Sequence, residues 1–74
     1  MEAMNYSKLR GRIVEILGTQ SVFAQKMGLS ETSVSKKMRG SIPWKQSEMI
    51  LAAKILKFPE TDIGLYFFCA TRVQ

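Results

Sequence analysis

The sequence predicts an all-α fold, a compact bundle of about five short helices, and three observations carry that expectation. Apolar residues recur at helical spacings of three and four. Glycines and prolines fall singly, at Gly11, Gly18, Gly28, Gly40, Pro43, Pro59 and Gly64, and cut the chain into short segments. Hydroxyl residues stand where helices would begin, with glycines where they would stop. At 74 residues the chain has room for one domain, residues 1–74, and 46% hydrophobic against 23% charged residues is the composition of a folded protein.

The elements follow in order. Over Ser7–Leu17, Leu9, Ile13, Ile16 and Leu17 share one helical face, and Gly18 is a natural stop. Thr19 can cap a second helix over Gln20–Met27, with Val22, Phe23 and Met27 inward and Gly28 at its end. Ser30 then caps a third, Glu31–Arg39, whose first-turn acid and last-turn arginine both match the helix dipole, and Gly40 closes it. From about Trp44 to Leu56, Met49, Ile50, Leu51, Ala52, Ala53, Ile55 and Leu56 cover most of the circumference, the pattern of a central buried helix. A short fifth helix is expected over Glu60–Tyr66. Phe67–Val73, rich in aromatic and β-branched residues, has the composition of an extended C-terminal tail.

Composition removes most function classes. Histidine is absent and Cys69 is the single cysteine, so neither a zinc site nor a disulfide framework is expected, and a reducing cytoplasm fits best. With six carboxylates in all and no glycine-rich phosphate cradle, the chain is not expected to be an enzyme or to need a metal, cofactor or small-molecule ligand. The longest apolar stretch, Ile63–Ala70, is eight residues, where a membrane span needs about 20, so a soluble protein without a membrane partner is expected.

Charge points elsewhere. Of the net +5, residues 8–45 hold Lys8, Arg10, Arg12, Lys26, Lys36, Lys37, Arg39 and Lys45 against Glu15 and Glu31, whereas residues 46–74 are neutral. A basic half suits a polyanion, and a neutral half suits packing or self-association. A merely solubilising positive surface is the competing explanation.

The second and third predicted helices carry the sharper signal. Two helices crossing closely need a small residue at the contact, a turn residue tolerant of positive φ, and an apolar anchor on the second helix; Ala24, Gly28 and Val34 supply these in order. The pattern is that of a helix-turn-helix, with a generic helical hairpin as the bland alternative. If Val34 marks the buried direction of the third helix, Thr32 and Lys36 lie about 160° from it and Arg39 about 140°, flanked by Ser33 and Ser35 at about 100°. That face offers small hydroxyls followed by cations, which suits the major groove: Ser, Thr and Lys near base edges, Arg39 on phosphate. Lys37, about 60° from the core direction, is expected to run its stem along the bundle with its head in water. Lys45 is placed for phosphate or for solvent, Lys8, Arg10 and Arg12 could reach flanking phosphate, and Trp44 reads as a packing residue.

Phe23-Ala24, Gly28-Leu29-Ser30, Ser35 through Gly40, Pro43-Trp44-Lys45 with Glu48, Ile63-Gly64, Tyr66-Phe67-Phe68 and Val73-Gln74 together resemble the lambda-repressor-like, Cro-type DNA-binding proteins, and within them the small Cro-like proteins of phages and prophages of Gram-positive bacteria. The resemblance spans nearly the whole chain. It implies five helices, a homodimer on a double-stranded DNA operator, and transcriptional control of the lysis or lysogeny decision. By position it implies that Gln20 and Ser35 meet phosphate with Arg39 and Lys45, and that Glu31, Thr32, Ser33 and Lys36 face bases. Glu31 departs from the common glutamine; it cannot make the amide's paired contact with adenine, although it could accept from cytosine. Lys37 departs from the usual leucine, and Met38 takes over that packing role.

Tyr66, Phe67, Phe68 and Val73 crowd apolar area into the neutral segment, and a palindromic operator demands a two-fold dimer, so the dimer contact is expected there. The competing expectation is that these aromatics fold back to complete the core. A second function class, a protein-interaction module such as an antitoxin or phage adaptor, would use the same helices to grip a protein.

Overall fold

The computed structural model describes residues 6–68, which run as α1 (Ser7–Leu17), α2 (Gln20–Met27), α3 (Glu31–Met38), α4 (Gln46–Ile55) and α5 (Ile63–Phe67), the last preceded by a 3-10 turn at Glu60–Asp62. Among the described residues there is no strand, and no helix is long and apolar enough to cross a membrane. Thr19 Oγ1 accepts the Val22 N–H at 3.2 Å and Ser30 Oγ accepts the Ser33 N–H at 3.1 Å, so both predicted caps form. Each satisfies a donor that the first helical turn leaves open, worth about 1 kcal/mol. Gly28 sits at φ 73°, in the left-handed region. A Cβ there would meet nothing within 4 Å, so the turn requires glycine for its backbone conformation and not for space.

The core is assembled from Leu9 and Ile13 of α1, Phe23, Ala24 and Met27 of α2, Val34 and Met38 of α3, Ala52 and Ala53 of α4, with Leu56, Phe58 and Phe67 beyond. Each large side chain taken fully from water contributes about 1.5–3 kcal/mol. Trp44 stands at the centre, its ring 6.3 Å from Phe23 and 5.2 Å from Phe67, the latter edge to face. It joins α2 to α5. Its indole N–H is buried and meets no acceptor among the described residues, a polar cost set against the two aromatic contacts of its ring.

Four expectations are corrected. The fourth helix begins at Gln46, because Pro43, Trp44 and Lys45 form its extended approach, and it is not buried all round: Leu51 is exposed, and Met49 and Ile50 are half-buried. A helix apolar on every side cannot by itself say how many neighbours will cover it. Phe67 is helical, not extended, and only 1% exposed. Arg12, considered for phosphate, instead closes the far end of α4: its Nε donates to the Leu56 carbonyl at 2.8 Å and its Nη2 to that of Lys57 at 2.9 Å. Those carbonyls lack helical partners, and Lys57 turns the chain at φ 60°, so the guanidinium supplies donors where the helix has run out. The third helix also stops one residue early, at Met38, with Arg39 as its cap. Val73 and the rest of residues 69–74 lie outside the described residues.

Val34 is completely buried where α3 meets α2. Val34→Lys places an unpaired charge there and is expected to cost several kcal/mol, most of the roughly 5–15 kcal/mol available to a domain. Circular dichroism should find the variant unfolded or melting far below the native chain. Unchanged melting would remove Val34 from the anchor position.

Candidate nucleic-acid interface

The packing of α3 decides what it shows to solvent. Val34 and Met38 face the core, so Glu31, Thr32, Lys36 and Arg39 come out exposed, with Ser33 and Ser35 half-buried at the flanks. The motif then divides these groups by hydrogen bonding. Ser21 Oγ donates to Glu31 Oε2 at 2.9 Å, Gln20 Nε2 donates to Ser35 Oγ at 3.3 Å, and Ser30 Oγ bonds Ser33 Oγ at 3.0 Å. Gln20, Glu31, Ser33 and Ser35, all expected at DNA, thus also brace the motif: two of the bonds run from α2 to α3, and the third holds the α3 cap. They keep part of their capacity, since Ser35 can still donate its own proton and Glu31 can still accept at Oε1. Thr32, Lys36 and Arg39 are exposed with donors in a solvent-facing arc in which Glu31 is the single acid. Lys45 is exposed at the start of α4, but its backbone N–H is taken by Glu48 Oε1 at 2.8 Å, so any phosphate contact there falls to its ammonium.

Lys37 does not reach water. It is 5% exposed, its Nζ lies 3.0 Å from Glu48 Oε1 and 3.1 Å from the Pro43 carbonyl, and it stands 5.7 Å from the Trp44 ring centroid. The stem lies on the core side of α3, as its angular position requires, and the 39–45 turn brings an acid, a carbonyl and an aromatic face to the head. Burial pushes the Glu48 carboxyl upward, but the Lys45 N–H bond, the Lys37 hydrogen bond and the charges of Lys37 and Lys45 outweigh it, leaving the group below its ordinary 4.5.

A family described as "Protein of unknown function (DUF739)" matches residues 2–70. The chain belongs to the DUF739 family. Its structure is similar to the solution structure of the modulator of repression (MOR) of the temperate bacteriophage TP901-1 from Lactococcus lactis, with 45% sequence identity, 88% of each chain covered and a TM-score of 0.78. No curated protein matches the chain.

Away from α3, this DUF739 protein has a second surface. Phe67 is unavailable for the dimer contact expected of it, because its ring is packed against Trp44; the competing expectation, folding back to complete the core, describes this residue. Tyr66 is half-buried, stacked on Phe58 at 4.1 Å with the Lys8 ammonium 5.4 Å from its centroid. Lys8 is therefore engaged on the α1–α5 side, while Arg10 is exposed. Phe68 is 62% exposed, with Leu51 and Leu65 also exposed. Between α4 and α5 runs a groove of about 420 Å³ lined by Gln46, Met49, Ile50, Glu60, Ile63 and Phe68.

The lowered Glu48 carboxyl makes stability depend on pH. Its contribution is complete above the ordinary carboxylate value of 4.5 and is lost as pH falls through the lower folded value, because only the unfolded chain binds the proton in that interval. Melting followed from about pH 5.5 to about pH 3 should therefore show the gap between the native chain and Glu48→Gln closing as acid is added. A gap constant with pH would mean that the carboxylate is not the stabilising form.

Proposed function

We propose that this DUF739 protein is a phage regulator of Cro-like type, a homodimer that binds duplex DNA with α3 in the major groove and thereby changes transcription in a repression circuit. One observation carries the reading: a capped, anchored α3 that turns its short apolar face inward and presents Thr32, Lys36 and Arg39 outward, with Lys45 at the next helix start. In that pose Thr32 and Lys36 meet base edges while Arg39 and Lys45 neutralise phosphates. The phage regulatory part draws support from the similarity to a modulator of repression at 45% identity. Occupying an operator competes with polymerase or with another repressor, and it needs no catalytic group.

A second reading has its own observation. The exposed apolar surface around the α4–α5 groove fits a protein-interaction module, and modulation of repression can be exercised on a protein as well as on DNA. Gel shifts on the DNA flanking the gene separate the two. A regulator that reads DNA prefers one duplex over random sequence, and an interaction module binds both equally weakly.

Lys36→Ala is expected to weaken binding to the preferred duplex by roughly 1–3 kcal/mol while barely changing binding to random DNA. Arg39→Ala and Lys45→Ala should instead weaken both alike and lower the salt slope by about one unit for each phosphate left without its cation. Weaker binding of Lys36→Ala to random DNA, or an unchanged slope for the other two, would reassign those residues.

For the dimer, the exposed Phe68 replaces Phe67 as the residue to test, since removing Phe67 would strip the core. Phe68→Ser should shift sedimentation toward monomer and weaken operator binding with little change in melting. An unchanged association state would move the two-fold contact elsewhere.

A further inference from the structure

The structure assigns the buried Lys37–Glu48 pair a role of its own: we propose that it is a positioning clasp, which fixes the spacing between the outward side chains of α3 and the cations of the 39–45 turn, and so sets how well the domain discriminates between duplexes. The inference rests on the DNA-binding reading for its consequence, but not for its mechanics.

The geometry is specific. α3 packs chiefly on α2 through two buried apolar side chains, Val34 and Met38, and neither of them reaches a polar group of the 39–45 turn to fix its course. Lys37 does, reaching Glu48 in the first turn of α4 at 3.0 Å and the Pro43 carbonyl at 3.1 Å, above the Trp44 ring. The same Glu48 oxygen accepts the Lys45 N–H at 2.8 Å. One carboxylate thus ties the end of α3 and the start of α4 together and closes the turn that carries Arg39 and Lys45. A buried ion pair gives little net stability, since desolvation consumes most of the Coulomb gain, yet it tolerates few geometries. An apolar side chain at position 37 would serve packing as well or better, but it would not fix the turn.

The test compares the native chain with the double variant Lys37→Met, Glu48→Gln, which keeps an acceptor for the Lys45 N–H and replaces the buried charge by an apolar side chain of similar length. Melting temperature should be unchanged or raised. Amide hydrogen exchange at Gly40 and Ser41, whose N–H groups bond the Lys37 and Lys36 carbonyls, should speed up by about fivefold or more while α1 and α2 amides stay as they were. Affinity for a duplex carrying the sequence that the native chain selects from a random pool should fall about tenfold, with less than about twofold weakening on random DNA. Glu48→Gln alone leaves the buried Lys37 ammonium without its counter-charge, so it should melt below both the native chain and the double variant and speed exchange at Gly40 and Ser41 at least as much.

Unchanged exchange at Gly40 and Ser41 in a folded variant would overturn the clasp. Faster exchange with undiminished discrimination would overturn its consequence for recognition. A native chain that prefers no duplex, with faster exchange in the variant, would leave the clasp standing and reject the DNA-binding reading.

Discussion

Trp44 is the residue on which the arrangement depends. In sequence it belongs to the connection between α3 and α4, but in space it lies between Phe23 of α2 and Phe67 at the end of α5, with Lys37 of α3 over its ring. α3 is eight residues long and has only two buried apolar side chains, too few to hold its own orientation by burial. The indole gives the polar α3 something rigid to lean on. It also draws Phe67 inward, which explains why the apolar C-terminal half does not expose all of its aromatics.

A second constraint comes from polar groups serving twice. Gln20, Ser21, Glu31 and Ser35 bond across the α2–α3 crossing, so the surface that would approach DNA is already ordered before anything binds. Ordered donors lose less freedom on binding than flexible ones, and specificity gains from that. Thr32, Lys36 and Arg39, exposed on the same helix, are the side chains to which the proposed function gives the adaptable contacts. The division also places Glu31 in a structural setting: its carboxylate fits a serine on the neighbouring helix where a glutamine would otherwise present an amide outward.

Much of the fold was legible because it follows local rules. Thr19 and Ser30 cap, Gly28 turns left-handed, and Ala24 and Val34 pack at the crossing, each readable from residue type and a spacing of a few positions. What was not legible depends on partners far along the chain. Arg12 meets carbonyls 44 and 45 residues away, and nothing in the sequence around α1 marks it as the cap of another helix. Lys37 has an angular position intermediate between core and water, and its burial is decided by Glu48, which only the folded turn brings near. Leu51 and Ile50 look like core by composition, but which side of an apolar helix stays open depends on the number of neighbours. The candidate site was therefore read more fully in its outward face than in the network that holds that face in place.

In the proposed function α3, and not the α4–α5 groove, is the surface that meets the chain's target. An amide-resolved NMR titration of the native protein with the duplex it selects from a random pool tests this directly. The largest shifts are expected at residues 31–39 and Lys45, with the groove residues Ile50, Ile63 and Phe68 little affected beyond any effect of dimerisation. Shifts confined to the groove, or none at all at saturating DNA, would contradict the proposed function.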